Sequence, residues 1–532
     1  MAETLLAIDD ISWPLRRRTC LYLNRPTVRP EPVLSPSAPD TPAPDNLAAH
    51  FYGTVLRDGG RYRMWYYACH RGLNPDWPPR QMQQLARQPA WLRGAANGDE
   101  VYQGPLCYAE SEDGLVWVKP NLAQVRFKGS YDNNALALPH TLVSGAAVIR
   151  DDADPDPSRR YKMVYQYFPD QTEPPIAAFG NLPSVATAVS SDGLAWRVLG
   201  LPYVNQFVEH CSLIRHGGRY ILHSQVFPGT GWSGVCTEGG GRGGRSGIAH
   251  WTYDFDRWPD LWQWSLALPE PETSAGRGSG VDGSAGAVSP RQVHLGVGAA
   301  SFGNVCVGLY GLWHDRADFG AIQADLGLVV SNDGVRFREP GAAAGQAFIH
   351  RDDSPAVAVA GRCFNTILCQ GNGILNVGQE TRIYHGRWRN VGQQAADIAA
   401  YYRADVALAT LPRDRWGALG LNPDSDAGAV CSVPLAVHGR DQELVINGDG
   451  VAGLTVELLD ERMVPVPDGA GGVVVGGDGL GNPVRWRQRG FAEVAAGRPL
   501  VRLQLRLERG GGTQPRVYAA YLRRVHGREA TP

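Results

Sequence analysis

The chain of 532 residues contains no apolar run close to the roughly 18 residues that a membrane-spanning helix needs. It also has almost no net charge, because 51 Lys and Arg residues balance 53 Asp and Glu residues. The first absence argues against a membrane protein, and the second removes the electrostatic case for binding nucleic acid or an anionic lipid surface. We therefore expect neither a membrane nor a nucleic acid as a partner.

Clustered cysteines are missing as well. The nine cysteines are scattered singly and contain no C-x-x-C pair, which argues against a zinc-cysteine site and against a disulfide scaffold. The opening sequence "MAETLLAIDDISWPLRRR" lacks the basic start and apolar core of a secretory signal. Reduced thiols and the lack of a signal predict a cytoplasmic protein.

Turn-forming residues are abundant, with 65 Gly and 38 Pro, and one phrase recurs. "SEDGLVW" at 111–117 returns as "SSDGLAW" at 190–196 and as "SNDGVRF" at 331–337. Asp-Gly suits a tight turn, because Gly accepts a positive φ and Asp bonds to its own backbone. The flanking residues alternate as in strands. The phrase predicts a hairpin corner whose Asp is structural rather than catalytic.

The aromatic residue that closes the phrase measures the length of the repeat. Residues Trp117, Trp196, Trp258, Phe337 and Trp416 are separated by 79, 62, 79 and 79 positions. Ahead of each lies a turn or loop and an apolar strand, as in "GGRYRMWYYA" (59–68) and "GGRYILHSQVF" (217–227). Five units of about four strands each predict an all-β fold, a five-bladed β-propeller.

The repeat stops near residue 425. Beyond it, short alternating strands with Gly and Asp turns predict a C-terminal β-sandwich. The predicted division is a propeller over residues 1–425 and a sandwich over residues 426–532 that braces the propeller's flank. Residues 71–98 interrupt the first blade and include a short helical pattern. Such insertions usually cover a binding mouth or an oligomer contact, so a homo-oligomer is left open.

Five blades, the S-x-D-G-x-x-W corners and the trailing sandwich resemble the glycoside hydrolases of families 32, 43, 68 and 130. The architecture is most similar to family 32, the invertase and inulinase group. In that family the acids stand where the first three inner strands begin, in W-x-N-D-P-N-G, R-D-P and E-C motifs. Asp45-Asn46 resembles N-D-P-N, and Glu209 with Cys211 resembles E-C with one residue inserted. R-D-P has no clean match, and "YDNN" at 131–134 enters the second blade instead.

The resemblance implies a carbohydrate-active enzyme, a glycoside hydrolase acting on a small glycoside or oligosaccharide, with furanosides such as fructosides or arabinosides favoured. Breaking a glycosidic bond needs two carboxyl groups. Glu209 is the candidate general acid, because it begins a strand among apolar neighbours that could raise its pKa. Asp45 is the candidate nucleophile or base, and Asp132 the candidate third carboxylate.

Each candidate acid also has an ordinary structural interpretation. Glu209 could be neutralised by an arginine such as Arg215, and Asp45 could be a turn residue in a proline-rich entry segment. Asp132 could belong to an Asx-turn.

One histidine stands near the start of each expected inner strand: His50, His140, His210, His294 and His350. Pointed inward, these imidazoles could recognise sugar hydroxyls, since a neutral imidazole both donates and accepts hydrogen bonds. Two to four of them could instead hold an axial metal ion. They could also be polar residues at a wet strand end. No cofactor is otherwise required.

Three further residues are candidates for substrate binding. Arg245 follows the glycine-rich loop of the third blade and could clamp substrate oxygens. Asp353 and Glu380 are expected to flank the same mouth, although Glu380 could equally pair with Arg382 or Arg387 on the surface. Two alternative functions stay open on this scaffold: a histidine- or metal-dependent sugar lyase or isomerase, and a sugar-binding propeller without catalysis.

Overall fold

The computed structural model describes residues 3–77, 101–140, 143–167, 184–203, 209–226, 246–266, 292–314, 323–341, 345–355, 365–369, 371–389, 403–439, 441–510 and 514–524. Within these ranges the chain is almost entirely β, with one short α-helix, α1 (Phe491–Val494), and one turn of 3-10 helix at Pro157–Arg159. The prediction of an all-β fold is confirmed. No helix in this part of the chain is long and apolar enough to cross a membrane.

The strands of the amino-terminal segment and the first three blades are numbered in chain order. The amino-terminal strands are β1 (Glu3–Leu6), β2 (Leu15–Arg17), β3 (Thr19–Leu23) and β4 (Thr27–Val28). Blade one contains β5 (Ala48–Asp58), β6 (Arg61–Arg71) and β7 (Val101–Ser111). Blade two contains β8 (Val143–Arg150), β9 (Tyr161–Tyr167), β10 (Ser184–Ser190) and β11 (Arg197–Tyr203). Blade three contains β12 (Glu209–His216), β13 (Arg219–Val226), β14 (Ser246–Thr252) and β15 (Gln263–Leu266).

The remaining strands build two more blades and a separate sheet. Blade four contains β16 (Gln292–Ser301), β17 (Cys306–His314) and β18 (Gln323–Ser331). Blade five contains β19 (Asn365–Leu368), β20 (Gly371–Asn372), β21 (Ile374–Val377), β22 (Glu380–Arg389) and β23 (Arg403–Pro412). The sandwich strands are β24 (Gly417–Leu421), β25 (Ala427–Cys431), β26 (Leu435–Ala436), β27 (Gln442–Asp449), β28 (Thr455–Leu459), β29 (Gly472–Val474), β30 (Gly479–Arg485), β31 (Leu500–Glu508) and β32 (Arg516–Arg524).

Each blade is an antiparallel sheet that runs outward from an inner strand. The described residues place the inner strands β5, β8, β12 and β16 side by side around an axis. The inner strand of blade five is broken into β19, β20 and β21, and β20 pairs in parallel with β5. That pairing joins the last blade to the first and closes the ring.

The start of the chain completes the last blade. β4 pairs with β23 through Thr27 opposite Thr410 and Val28 opposite Ala409. A little later, the amide of Val33 donates to the Val406 carbonyl. Blade five therefore takes its outermost strand from the opposite end of the sequence.

The sandwich also recruits the start of the chain, which corrects the predicted division at residue 425. Residues 3–23 supply β1, β2 and β3, which pair with β32, β25 and β24. These strands and β26–β31 form one twelve-stranded sheet that encloses a core containing Ile446, Leu505 and Phe491. The repeat count could not reveal this arrangement, because the N-terminal strands resemble no blade and find partners about 400 or more residues away.

The sandwich packs against blades four and five, as expected of a brace. Leu6 and Ala519 from the sandwich share one apolar cluster with Leu326 and Ile383 from the blades. Beside this cluster, the buried Asp9 accepts hydrogen bonds from Arg338 at 2.5 Å and from Asn332 at 2.7 Å. The ion pair fastens the first turn of the sandwich to the repeated corner of blade four.

The repeated phrase forms a corner with the same bonds each time. In the first copy, Asp113 Oδ1 accepts from the amides of Leu115 at 2.8 Å and Val116 at 2.9 Å, and Ser111 Oγ accepts from the Gly114 amide. Gly114 has a φ of 75°, a conformation that favours glycine. The copies around Asp192 and Asp333 repeat these bonds. The corner aspartates are structural, as expected.

Each of these three corners also fastens its blade to the preceding one through two carbonyls. Trp65 of blade one donates its indole N–H to the Gly193 carbonyl at 2.9 Å, and Arg63 donates to the Asp192 carbonyl at 2.5 Å. Tyr384 and Arg382 of blade five bond the corner of blade one in the same way. His223 and Arg219 of blade three do so for the corner of blade four. We call these paired bonds the corner latches.

Candidate active site

The inner strands β5, β8, β12 and β16 all begin at the end of the propeller opposite the corner latches. We call this end the mouth. Each of these strands shifts register close to its start, and three shifts follow directly after a histidine: His50, His210 and His294. In β8 the shift lies between Val143 and Gly145. Such bulges re-aim side chains and are frequent beside active sites.

The inner strands converge just below the mouth, because glycines let their backbones touch. A Cβ on Gly145 would lie 2.7 Å from the Tyr52 carbonyl oxygen and 2.9 Å from Cε1 of His210. Beneath this level, Asn372 of blade five donates to the carbonyls of Val148 and Leu213 in the neighbouring inner strands. These bonds join blade five to the inner strands of blades two and three, and so close the bottom of the mouth.

Glu209 is the first residue of β12 and is partly exposed at the mouth. The amide Nε2 of the buried Gln225 donates to Glu209 Oε2. Ser224 Oγ donates to the Glu209 carbonyl at 2.6 Å. Arg215, the expected alternative partner, pairs with Asp151 at 3.2 Å. The placement of Glu209 at the start of an inner strand agrees with the prediction, and its role as general acid stays a prediction.

The positions equivalent to Glu209 in the first two blades carry no acid. Aligning the Arg-Tyr pairs at the start of β6, β9 and β13 brings one residue of each inner strand to the same level. These residues are His50, Gly145 and Glu209, which face Tyr67, Gln166 and Gln225 on the middle strands. The resemblance to family 32 implies an acid in all three blades, whereas this chain places one in blade three alone.

Asp45 lies in the wall of blade one and not at the axis, so its expected position is wrong. Its side chain is fully buried and accepts hydrogen bonds from Lys119 at 2.5 Å, Tyr66 at 2.9 Å and Ser37 at 2.6 Å. Lys119 follows the outer corner of the same blade. The carboxylate is neutralised within the blade, because a buried charge requires such partners.

Asp132 is exposed on the outer edge of blade one, so its expected place at the second inner strand is also wrong. The residues that follow it run beside β7, since the Tyr108 amide donates to the Asn134 carbonyl at 3.0 Å and Ala135 bridges Cys107. β8 begins only at Val143. The segment 131–134 therefore completes the first blade and does not enter the second.

Three of the five predicted histidines have described side chains at the mouth. His50 stacks on Tyr67, with ring centroids 4.3 Å apart. His140 precedes β8, stacks on Tyr167 at 3.8 Å and shares a hydrogen bond of 2.8 Å with the Tyr165 hydroxyl. His210 is buried against Gly145.

The five histidines do not form one ring. His50 occupies the level of Glu209, whereas His210 is one residue further along its strand and so faces the opposite side. His294 lies on β16 opposite Gly311. His350 is at the outer edge of blade four, where its Nε2 lies 3.7 Å from Asp325 Oδ2. The inner strand of blade five begins only at Asn365, so His350 is not part of it. Its predicted place is wrong.

The mouth imidazoles are neutral at ordinary pH. Burial lowers the pKa of His140 and of His210 to about 4, and burial also holds the pKa of His50 well below its usual value. Neither ring nitrogen of His210 has a hydrogen-bond partner among the residues that the structure describes. Within the same ranges, no group of three or more His, Cys, Asp or Glu side chains is arranged to hold a metal ion. An axial metal therefore stays a prediction without a described ligand set.

The remaining predicted residues do not meet at the mouth. Glu380 begins β22 at the corner end, and Arg382 donates to its carboxylate at 3.3 Å, which is the alternative named above. Asp353 is exposed in the turn after the outer edge of blade four, where its amide donates to the His350 carbonyl. Arg245 and residues 78–98 of the insertion lie outside the described residues.

The residues predicted from the sequence did not include the aromatic rings at the mouth. Tyr52 and Trp388 stack with ring centroids 5.1 Å apart, and His50 meets Trp388 edge-on at 4.8 Å. Trp388 comes from blade five and contacts blade one, so no local pattern points to it. The aromatic run of "GGRYRMWYYA" was the available signal for Tyr67.

No family model matches the chain. It is 27% identical over 183 residues to the uncharacterized protein Rv1502 of Mycobacterium tuberculosis, an alignment that covers 32% of this chain and 45% of that protein. The chain thus matches less than half the length of this curated relative.

Two solved structures are similar in shape. A glycosyl hydrolase from Bacteroides ovatus is 13% identical with a TM-score of 0.44, covering 74% of this chain and 95% of that chain. The β-1,2-mannobiose phosphorylase from Listeria innocua is 11% identical with a TM-score of 0.40, covering 74% and 96%. Both TM-scores are below 0.5.

Proposed function

We propose that the protein is a carbohydrate-active enzyme, a glycoside hydrolase that binds a small glycoside or oligosaccharide at the mouth and uses Glu209 as its general acid. The observation that carries the proposal is the placement of Glu209. A carboxyl group stands where an inner strand begins and accepts a hydrogen bond from a buried amide. General acid catalysis needs a carboxyl group that is held in place and reachable by the leaving oxygen.

The surroundings of Glu209 suit a neutral, hydroxyl-rich substrate. A neutral imidazole can donate to one hydroxyl and accept from another. Of the three described mouth imidazoles, His140 is partly exposed, so it is the one that a bound sugar can reach. The ring of Trp388 offers an apolar face of the kind that packs against a sugar ring. The preference for furanosides rests on the resemblance to family 32.

A second candidate, a histidine-dependent sugar lyase or isomerase, is favoured by one observation. His50 occupies the level at which a hydrolase of this architecture would carry its second acid. A neutral imidazole can accept a proton from carbon. Product analysis separates the two reactions, because hydrolysis adds water across the bond whereas elimination leaves an unsaturated sugar.

The test is the substitution Glu209→Gln, assayed on aryl furanosides and on oligosaccharides with product identification by mass spectrometry. General acid catalysis contributes about 10²–10⁴-fold, so turnover of a substrate with a poor leaving group should fall by that factor. A substrate with an activated phenol leaving group needs little protonation and should lose much less.

Glu380→Gln is the matched control, because it makes the same chemical change at the corner end. It should leave both rates unchanged. Equal, small losses on both substrates in Glu209→Gln would remove Glu209 from the mechanism. Sugar binding without turnover in the unmodified protein would favour the non-catalytic alternative.

A further inference from the structure

Gln225 lies directly behind Glu209 and is completely shielded from solvent, with 0% of its surface exposed. Its Nε2 donates to Glu209 Oε2, and the two residues are opposite one another on β12 and β13. We propose that Gln225 is a positioning residue that fixes the carboxyl group of Glu209 and, by donating to Oε2, directs the transferable proton to the other oxygen, Oε1. The proposal rests on the function proposed above.

The backbone arrangement leaves room for this contact. Glu209, Gln225 and Gly247 form one row across three strands, so their side chains belong to the same face of the blade. Gly247 contributes no side chain to the row, and Ser224 fixes the Glu209 backbone from the other side. Gly247 therefore places no side chain beside the Gln225 amide in this row.

An amide has the chemistry that a positioning partner needs. It does not titrate, so its N–H donates to Oε2 both when Glu209 is ionised and when it is protonated. In the protonated state an oxygen that accepts this bond is the carbonyl-type oxygen, and the proton then resides on Oε1. During catalysis the Oε1–H bond breaks, its electron pair stays on Oε1, and the proton bonds to the glycosidic oxygen as the bond from that oxygen to the sugar carbon breaks. The carboxylate that results keeps its bond to Gln225.

The variant that tests the proposal is Gln225→Met, which keeps the length of the side chain and removes the donor. Losing a hydrogen bond to the ionised form raises the pKa of an acid. The high-pH limb of kcat should therefore move upward by about one to two pH units. Since Gln225 is buried behind Glu209, kcat should fall by about tenfold or more while KM stays close to its original value.

Gln166→Met is the matched control. Gln166 is buried at the same level of blade two but faces Gly145, which has no carboxyl group to position. It should reproduce any packing cost of the substitution without moving the pH profile. Gln225→Glu provides a second variant of nearly equal shape, and two facing carboxyl groups should move the same limb upward further still.

A readout that does not require turnover separates this inference from the proposed function. The carboxyl carbon of Glu209 can be titrated by NMR in the full chain labelled at glutamate, with Glu209→Gln to assign the signal. The titration midpoint should rise in Gln225→Met and stay fixed in Gln166→Met. An unmoved midpoint overturns the role of Gln225 even where Glu209→Gln abolishes activity. If the midpoint moves but Glu209→Gln leaves the rates unchanged, the proposed function is overturned instead.

Discussion

The two ends of the propeller differ in how far the blades repeat the same side-chain contacts. At the corner end, three blades reuse one set of bonds, in which an arginine and an aromatic or histidine side chain hold the Asp-Gly corner of the next blade. At the mouth, equivalent positions carry His50, Gly145 and Glu209. The repeat that is visible in the sequence therefore encodes assembly, whereas the residues proposed for catalysis lie where the repeat is lost.

The junction between blades two and three, where no corner latch is described, supports this interpretation. The residue of blade two that is equivalent to Trp65 is Val164, which has no side-chain donor, and the corner that follows it is the irregular "TYDFDRW" of blade three. There the buried Lys162 lies 2.7 Å from Asp154 and 5.9 Å from the ring centroid of Phe255. Where the donor is missing, a different set of contacts joins the blades.

Acidification should have the largest effect, and it should affect both ends together. Burial lowers the pKa of His210 at the mouth and of His223 in a corner latch to about 4, as it does for His250 and His385. Their pKa values are near 6.5 in the unfolded chain, so between about pH 6.5 and 4 the unfolded state binds more protons. The free energy of unfolding should then decrease as the pH falls through that window.

Each such histidine changes the slope by up to about 1.4 kcal/mol per pH unit. The total loss between about pH 7 and pH 5 should exceed about 5 kcal/mol, as measured by urea unfolding at each pH. A free energy of unfolding that stays constant over this range would show that these imidazoles titrate in the folded protein as they do in the unfolded chain.

The next largest effect should come from Asp45→Asn, which separates a structural acid from a catalytic one. Removing one partner of a buried ion pair costs about 3–5 kcal/mol, and the lower figure applies because Lys119 keeps 22% of its side chain exposed. Thermal unfolding should shift down, while kcat of the folded variant should stay near that of the unmodified protein. Glu209→Gln should show the reverse. A rate loss at unchanged stability would return Asp45 to the mechanism.

A smaller loss should follow from breaking a single corner latch with Trp65→Phe. The indole N–H is buried and its removal leaves the Gly193 carbonyl without that donor, which costs about 1–3 kcal/mol. Trp264→Phe is the control, since Trp264 is 39% exposed on the edge of blade three. Equal melting temperatures for the two variants would mean that the hydrogen bond of the latch contributes no stability beyond the packing of the ring.

The sequence predicted the all-β fold and the structural role of the corner aspartates, because turns and strands depend on local chemistry. It misplaced Asp45 and Asp132, because a motif counted along the chain contains no information about which strand a segment joins. It grouped the histidines as a ring, although a shift of one residue along a strand moves a side chain to the opposite face. His50 and His210 face different sides because of register shifts near the starts of their strands. These shifts depend on contacts between strands and leave no local sequence pattern.

The recruitment of the first strands by the last ones has a consequence for synthesis. β1 pairs with β32, with Glu3 opposite Leu522, so a strand made early finds its partner among residues that are made much later. β2 and β3 can pair once β25 and β24 have been made, but β1 offers unpaired backbone to other chains until β32 has left the ribosome. The propeller ring needs only strands up to β23 to close, whereas the sandwich stays incomplete until β32 is made, so a nascent chain stalled before β32 would expose sandwich strands to aggregation or chaperone capture.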